Sequence, residues 1–123
     1  GICLGFQILT DYSEEDGGTE CLGILKGSTK YIDEHKTHNG WNSFYLDTRK
    51  LSKNMHIKKK QKKIASGRVY FNHELKVELD CKAYVKSTGD GVTSFAIQNN
   101  IFGFQFHPEK SQKTGQELLE LIV

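Results

Sequence analysis

A cysteine framed by glycines, Gly1-Ile2-Cys3-Leu4-Gly5, constrains this chain more than any other feature. Glycine, any residue, a nucleophilic side chain, any residue, glycine suits a strand-to-helix turn so sharp that small residues must flank its centre. Such an elbow lifts the thiol clear of the sheet and sets it at a helix N-terminus. There the backbone N–H groups and the helix dipole favour thiolate and can stabilise an oxyanion. Taken alone, the pentapeptide fits a buried structural cysteine equally well. The spacing of Leu4, Phe6, Ile8, Leu9 and Tyr12 predicts a helix from Leu4 to about Tyr12, ended by the acidic, glycine-rich loop of residues 13–18.

A second constellation lies near the other end. Phe102, Phe104 and Phe106 alternate with Gly103 and Gln105 at strand period, so a strand delivers His107 at its end. Pro108 cannot continue a ladder and fixes the exit. Glu109, two residues past the histidine, can curl back and accept a hydrogen bond from the ring nitrogen facing away from a nucleophile. A strand-end histidine beside a chance carboxylate is the plainer alternative for this segment by itself. Together, Cys3, His107 and Glu109 make a Cys-His-Glu set, the arrangement used for acyl transfer through a thioester. The residues give a reaction class and no substrate.

Between these segments the chain reads mainly as strands. They are expected over Leu22 to Ile32 (with a turn at Lys26-Gly27), Trp41 to Leu46 after an Asn39-Gly40 turn, Arg68 to His73, and Leu75 to Val85. A hairpin of Thr93 to Gln98 and Ile101 to Phe106 is expected about Asn99-Asn100, and a final helix is expected to carry Leu118, Leu119, Ile122 and Val123 inward. Many strands with a helix at each end predict an α/β fold, an open mixed sheet flanked by helices. The 123 residues, 37% hydrophobic and 26% charged, suit one small domain or a piece of a larger one. Gly1 opens directly into the motif, so residues 1–123 are expected to be a single partial domain whose N-terminal strands precede it. A net charge of +2 gives no case for a nucleic-acid partner, and no apolar run approaches the roughly 20 residues that span a bilayer. Three cysteines without a C-x-x-C pair point to a reducing, cytoplasmic setting, with Cys21 and Cys81 as small core residues. The basic run Lys58 to Lys63 is expected to be a solvated face, with docking to an acidic partner as the alternative.

Gly1 to Gln7, Ser13-Glu14-Glu15 with Gly17-Gly18, His38-Asn39-Gly40-Trp41-Asn42, Tyr70-Phe71-Asn72-His73 and Asn100 to Ser111 together resemble one family, in its order. It is the class I glutamine amidotransferases, and within them the glutamine amidotransferase subunit of imidazole glycerol phosphate synthase. The resemblance implies that this chain is the C-terminal portion of such a domain. It implies Cys3 as nucleophile, His107 as base and Glu109 as its orienter, with Gln7, Leu4 and Gly5 at the glutamine site and no metal or organic cofactor. It also implies a heterodimer with a β/α-barrel cyclase that receives the ammonia for histidine biosynthesis, met by the Gly40-Trp41-Asn42 stretch. Two departures stand out. Glu74 and Leu75 occupy positions where the family carries a small hydroxyl residue and an aromatic that contact glutamine, and the oxyanion-loop glycines that precede the elbow lie outside this sequence. The segment alone is therefore expected neither to fold stably nor to turn over glutamine. Alternatives are a paralogous subunit supplying ammonia for surface-sugar amidination, and a degenerate, non-catalytic binding module.

Overall fold

The computed structural model describes residues 1–33, 36–51, 64–80, 83–87 and 91–122. A short helix α1 (Leu4–Gln7) is followed by strands β1 (Tyr12–Ser13), β2 (Thr19–Glu20), β3 (Gly27–Tyr31), β4 (His38–Asp47), β5 (Ile64–His73), β6 (Leu75–Leu79), β7 (Tyr84–Ser87), β8 (Thr93–Gln98) and β9 (Ile101–Phe104), then helix α2 (Gln112–Glu120). Among the described residues the strands form three sheets, ordered β2-β1-β3-β6, β4-β5 and β7-β8-β9. β1 runs parallel to β3 and the other strand pairs are antiparallel, so strand pairing is mixed, as expected.

Strand β8 divides the interior. Thr93 to Ile97 are all buried, the pattern of a strand covered on both faces. Successive side chains of a strand alternate sides. Phe95 and Ile97 therefore join Phe71, Phe104, Phe106 and Leu118 in one core, whereas Ala96 joins Phe6, Leu25 and Val77 in another. Asn99 takes a left-handed conformation (φ 54°) in the two-residue turn that pairs Gln98 with Ile101, a role asparagine tolerates.

Three expectations give way to tertiary pairing. The first helix stops at Gln7 because Leu9 O accepts from the Ile24 and Leu25 N–H groups and Asp11 N–H donates to Gly27 O, which recruits Tyr12–Ser13 into β1. Only Gly27–Tyr31 of the predicted strand–turn–strand is β-structure. Asn39-Gly40 does not turn: both residues lie inside β4, whose ladder with β5 runs from His38 opposite His73 to Asp47 opposite Ile64. Cys21 is half-buried, its thiol on Thr19 O, and is not a core residue. Leu118 of α2 is buried and Ile122, just beyond the helix, packs on the first core, while Leu119 lines a groove with Ile2, Leu9 and Phe102. Lys58 to Lys63, Cys81 and Val123 lie outside the described residues. No described helix is long and apolar enough to cross a membrane.

Candidate active site

Residues 1–3 form the strand half of an elbow. Ile2 bridges Phe104 in parallel, with Cys3 N–H donating to Phe104 O (2.7 Å) and Phe104 N–H to Gly1 O (2.8 Å). Cys3 then turns at φ 52°, ψ −110°, a region L-residues rarely occupy, and stands as the N-cap of α1. The two glycines differ in necessity. A Cβ on Gly1 would lie 2.4 Å from Gly5 O, whereas one on Gly5 would meet nothing within 4 Å. The Phe6 ring packs so close to Gly103 of β9 that a Cβ there would fall 2.1 Å from it.

His107 follows β9 after Gln105 and Phe106. Its N–H donates to Tyr70 O (2.9 Å), and its carbonyl accepts from Ser111 Oγ (2.6 Å), which in turn accepts from Tyr70 N–H (3.0 Å). Ser111 thus bolts the histidine's backbone to β5. Pro108 opens a 3₁₀ turn (Pro108–Lys110), and Gly115 of α2 sits so close to it that a Cβ would fall 1.8 Å from Pro108 O. Glu109 curls back as expected, its Oε1 2.6 Å from His107 Nδ1. A carboxylate acceptor there holds the proton on Nδ1 and leaves Nε2 as the basic nitrogen.

The Cys3 sulfur lies 3.8 Å from Asn72 O, to which the thiol donates, and accepts from Gln105 Nε2 (3.8 Å). Burial pushes the thiol pKa up. The Leu4 N–H lowers it, the nearby Glu109 carboxylate raises it and the Gln105 amide lowers it. No hydrogen bond joins the sulfur to the His107 ring among the described residues. Both nevertheless rest on β5, the sulfur at the Asn72 carbonyl and the His107 main chain at the Tyr70 carbonyl. Carbonyls two residues apart on a strand point the same way and are separated by about 7 Å. The thiol and the His107 main chain therefore hang on one edge of one strand.

The remaining expected site residues are placed differently from one another. The Leu4 side chain is exposed. Gly5 is half-buried and Gln7 fully buried, with Gln7 Nε2 donating to Leu75 O (3.1 Å) and Gln105 Oε1 (3.3 Å). Glu74 is exposed and the Leu75 side chain is buried at the start of β6. Sequence reasoning did not single out Gln105, which is wholly buried, or the histidine pair. His73 Nδ1 lies 2.5 Å from Leu75 O, His73 Nε2 2.7 Å from His38 Nδ1, and His38 Nε2 2.5 Å from Asn42 Nδ2. Burial lowers the His73 pKa to about 4, offset in part by the Leu75 carbonyl and reinforced by His38 and His107.

A family profile described as "Glutamine amidotransferase class-I" matches residues 1–123. The chain belongs to the class I glutamine amidotransferases. Among curated proteins this amidotransferase chain is similar to "Imidazole glycerol phosphate synthase subunit HisH" from three organisms. It is 39% identical over 127 residues to that of Nitrosococcus oceani (97% of this chain, 57% of the relative). It is 39% identical over 127 residues to that of Methanocaldococcus jannaschii (100% and 61%), and 36% identical over 132 residues to that of Bacillus subtilis (97% and 58%). The amidotransferase chain thus spans about three-fifths of the length of the relatives it matches.

Proposed function

We propose that this protein releases ammonia from the side-chain amide of glutamine through a thioester on Cys3. The observation that carries this reading is the shared anchoring of the sulfur and of the His107 main chain on one edge of β5, with Glu109 on the His107 ring. In the proposed cycle His107 Nε2 takes the thiol proton as Sγ attacks the amide carbon. The proton then passes to the amide nitrogen, the C–N bond breaks and ammonia leaves. Water adds to the glutamyl thioester with His107 as base, releasing glutamate and restoring the thiol. Glu109 holds the Nδ1 proton and stabilises the imidazolium. The Leu4 N–H, at the helix start beside the sulfur, is the local donor for the developing oxyanion. Leu4 and Gly5 line the glutamine site through their backbones, with Gln7 beneath them.

The reading extends to a partner. The relatives are named as synthase subunits, which supports delivery of the ammonia to a β/α-barrel cyclase forming imidazole glycerol phosphate in histidine biosynthesis. The β4–β5 ribbon offers an aromatic ledge for such a partner. Half-exposed Trp41 packs edge-on to Tyr70 (5.6 Å), Tyr70 Oη donates to Asn39 Oδ1 and Arg68 donates to Trp41 O. Treatment of the full-length protein, bound to its cyclase, with a diazoketone analogue of glutamine should add one label at Cys3. An unlabelled Cys3 sinks the enzyme reading and leaves the binding-module alternative. Rescue of a histidine auxotroph by the full-length gene separates the histidine pathway from surface-sugar amidination.

A further inference from the structure

Leu75 O accepts two hydrogen bonds, from His73 Nδ1 and from Gln7 Nε2. A carbonyl oxygen can only accept, and that fixes the polarity of both chains that start on it. The Gln7 amide must present its nitrogen to Leu75 O. The same nitrogen lies 3.3 Å from Gln105 Oε1, so the Gln105 amide must present its oxygen to Gln7 and its nitrogen to the Cys3 sulfur. The relay is rigid: Gln105 is wholly buried, Gln7 is 5% exposed, and Gln105 N–H is tied to Ser94 O (2.9 Å).

We infer that Gln105 is a positioning residue for the Cys3 thiolate, its amide N–H held toward the sulfur by the chain Leu75 O, Gln7, Gln105. This rests on the amidotransferase reading only for its catalytic consequence. A neutral donor aimed at sulfur strengthens as the sulfur becomes negative, whereas the Asn72 carbonyl on the sulfur's other side becomes repulsive. The donor opposes two influences that disfavour the thiolate, burial and the Glu109 carboxylate. Among the described residues, Glu109 is itself bonded to His107, and His73, whose ring is held by Leu75 O and His38, is neutral above about pH 4.

The test is the pH dependence of Cys3 alkylation by iodoacetamide in the full-length protein bound to its cyclase, for Gln105→Met, Gln105→Glu and Gln7→Glu. Gln105→Met removes the donor and keeps the volume; Gln105→Glu replaces it with a charge. Gln7→Glu leaves position 105 intact and reverses the relay, because a carboxylate at 7 demands the Gln105 nitrogen. Each should move the alkylation midpoint upward by roughly half to one pKa unit and slow alkylation at neutral pH about two- to threefold, the loss of thiolate being partly offset by its greater nucleophilicity, with Gln105→Glu slowest. Glutaminase kcat should fall with KM little changed for the two position-105 variants, whereas Gln7→Glu, beneath the proposed glutamine site, is read by alkylation alone. Folded variants whose melting temperature drops while the alkylation profile stays that of the parent would overturn the inference and leave Gln105 a core residue. A check on the unmutated protein needs no variant to fold: the Gln105 side-chain amide resonance should titrate with the Cys3 thiol, and an amide signal indifferent to that titration also overturns it. Because iodoacetamide reads the thiol directly, absence of glutaminase activity refutes the proposed function without touching this result.

Discussion

Cys3 holds its thiol from a backbone conformation that costs of the order of 1–3 kcal/mol and survives because flanking bonds over-determine it: Cys3 N–H to Phe104 O, and the Phe6 and Gln7 N–H groups to Cys3 O. Cys3→Gly should therefore raise stability by about 1 kcal/mol in denaturant titration while abolishing glutamine-analogue labelling; a less stable variant would show that no strain is stored there. Glu109→Gln keeps a group beside Nδ1 but loses the charge and frees the ring to adopt the other tautomer, so kcat should fall about 10²- to 10⁴-fold in steady-state assays with KM nearly unchanged. His73 sets a pH limit. Its folded pKa of about 4 lies below the ordinary 6.5, so the unfolded chain takes up a proton first as pH falls. Stability should be intact above pH 6.5 and decline toward pH 4, by up to about 3 kcal/mol, and His73→Gln should flatten that slope in chemical denaturation. The glycine-framed thiol and the His-Pro-Glu run were legible because their chemistry demands particular residue types at fixed spacing. Gln105, Asn72 and Leu75 were not, because two of them act through carbonyl oxygens that every residue owns and the third hides in an ordinary strand alternation.

Among the elements, the loop after β9 is fixed less by its own sequence than by what clamps it. Ser111 accepts from Tyr70 and donates to His107 O, so Ser111→Ala should cost about 1–3 kcal/mol and also slow turnover, because the His107 main chain loses one of its two ties to β5. Urea melts read beside kcat separate these effects. Gly103→Ala drives a methyl into the Phe6 ring and should destabilise by a similar 1–3 kcal/mol in the same melts, with α1 lifted from β9. The β8–β9 hairpin was readable from Asn99-Asn100 and its flanking alternation. The length of β4 was not: an Asn-Gly pair turns only where the strands on either side pair with each other, and here β4 pairs throughout with β5. The early stop of α1 has the same origin, since the 22–29 segment claims the backbone groups that a longer helix needs.

On the scale of the whole molecule, β8 walls one core from the other, and exposed Ile2, Leu4, Ile8, Tyr12, Leu22 and Ile24 gather around the elbow and the segment beside it. A polypeptide of these 123 residues alone is expected to melt broadly, bind a hydrophobic dye and show no glutaminase turnover; a sharp, cooperative calorimetric transition with activity would refute this. The alternating strands and terminal helices made an α/β arrangement readable. The partition into three sheets depends on long-range pairings that no local pattern encodes. The chain passes from the first core to the second at residues 74 and 75, and the oxygen that orients both amides and the histidine pair belongs to the main chain there. An atom of the polypeptide backbone is inherited whatever the codon. Mutational drift at position 75 can exchange its side chain for another without erasing the compass by which the neighbouring donors are aligned.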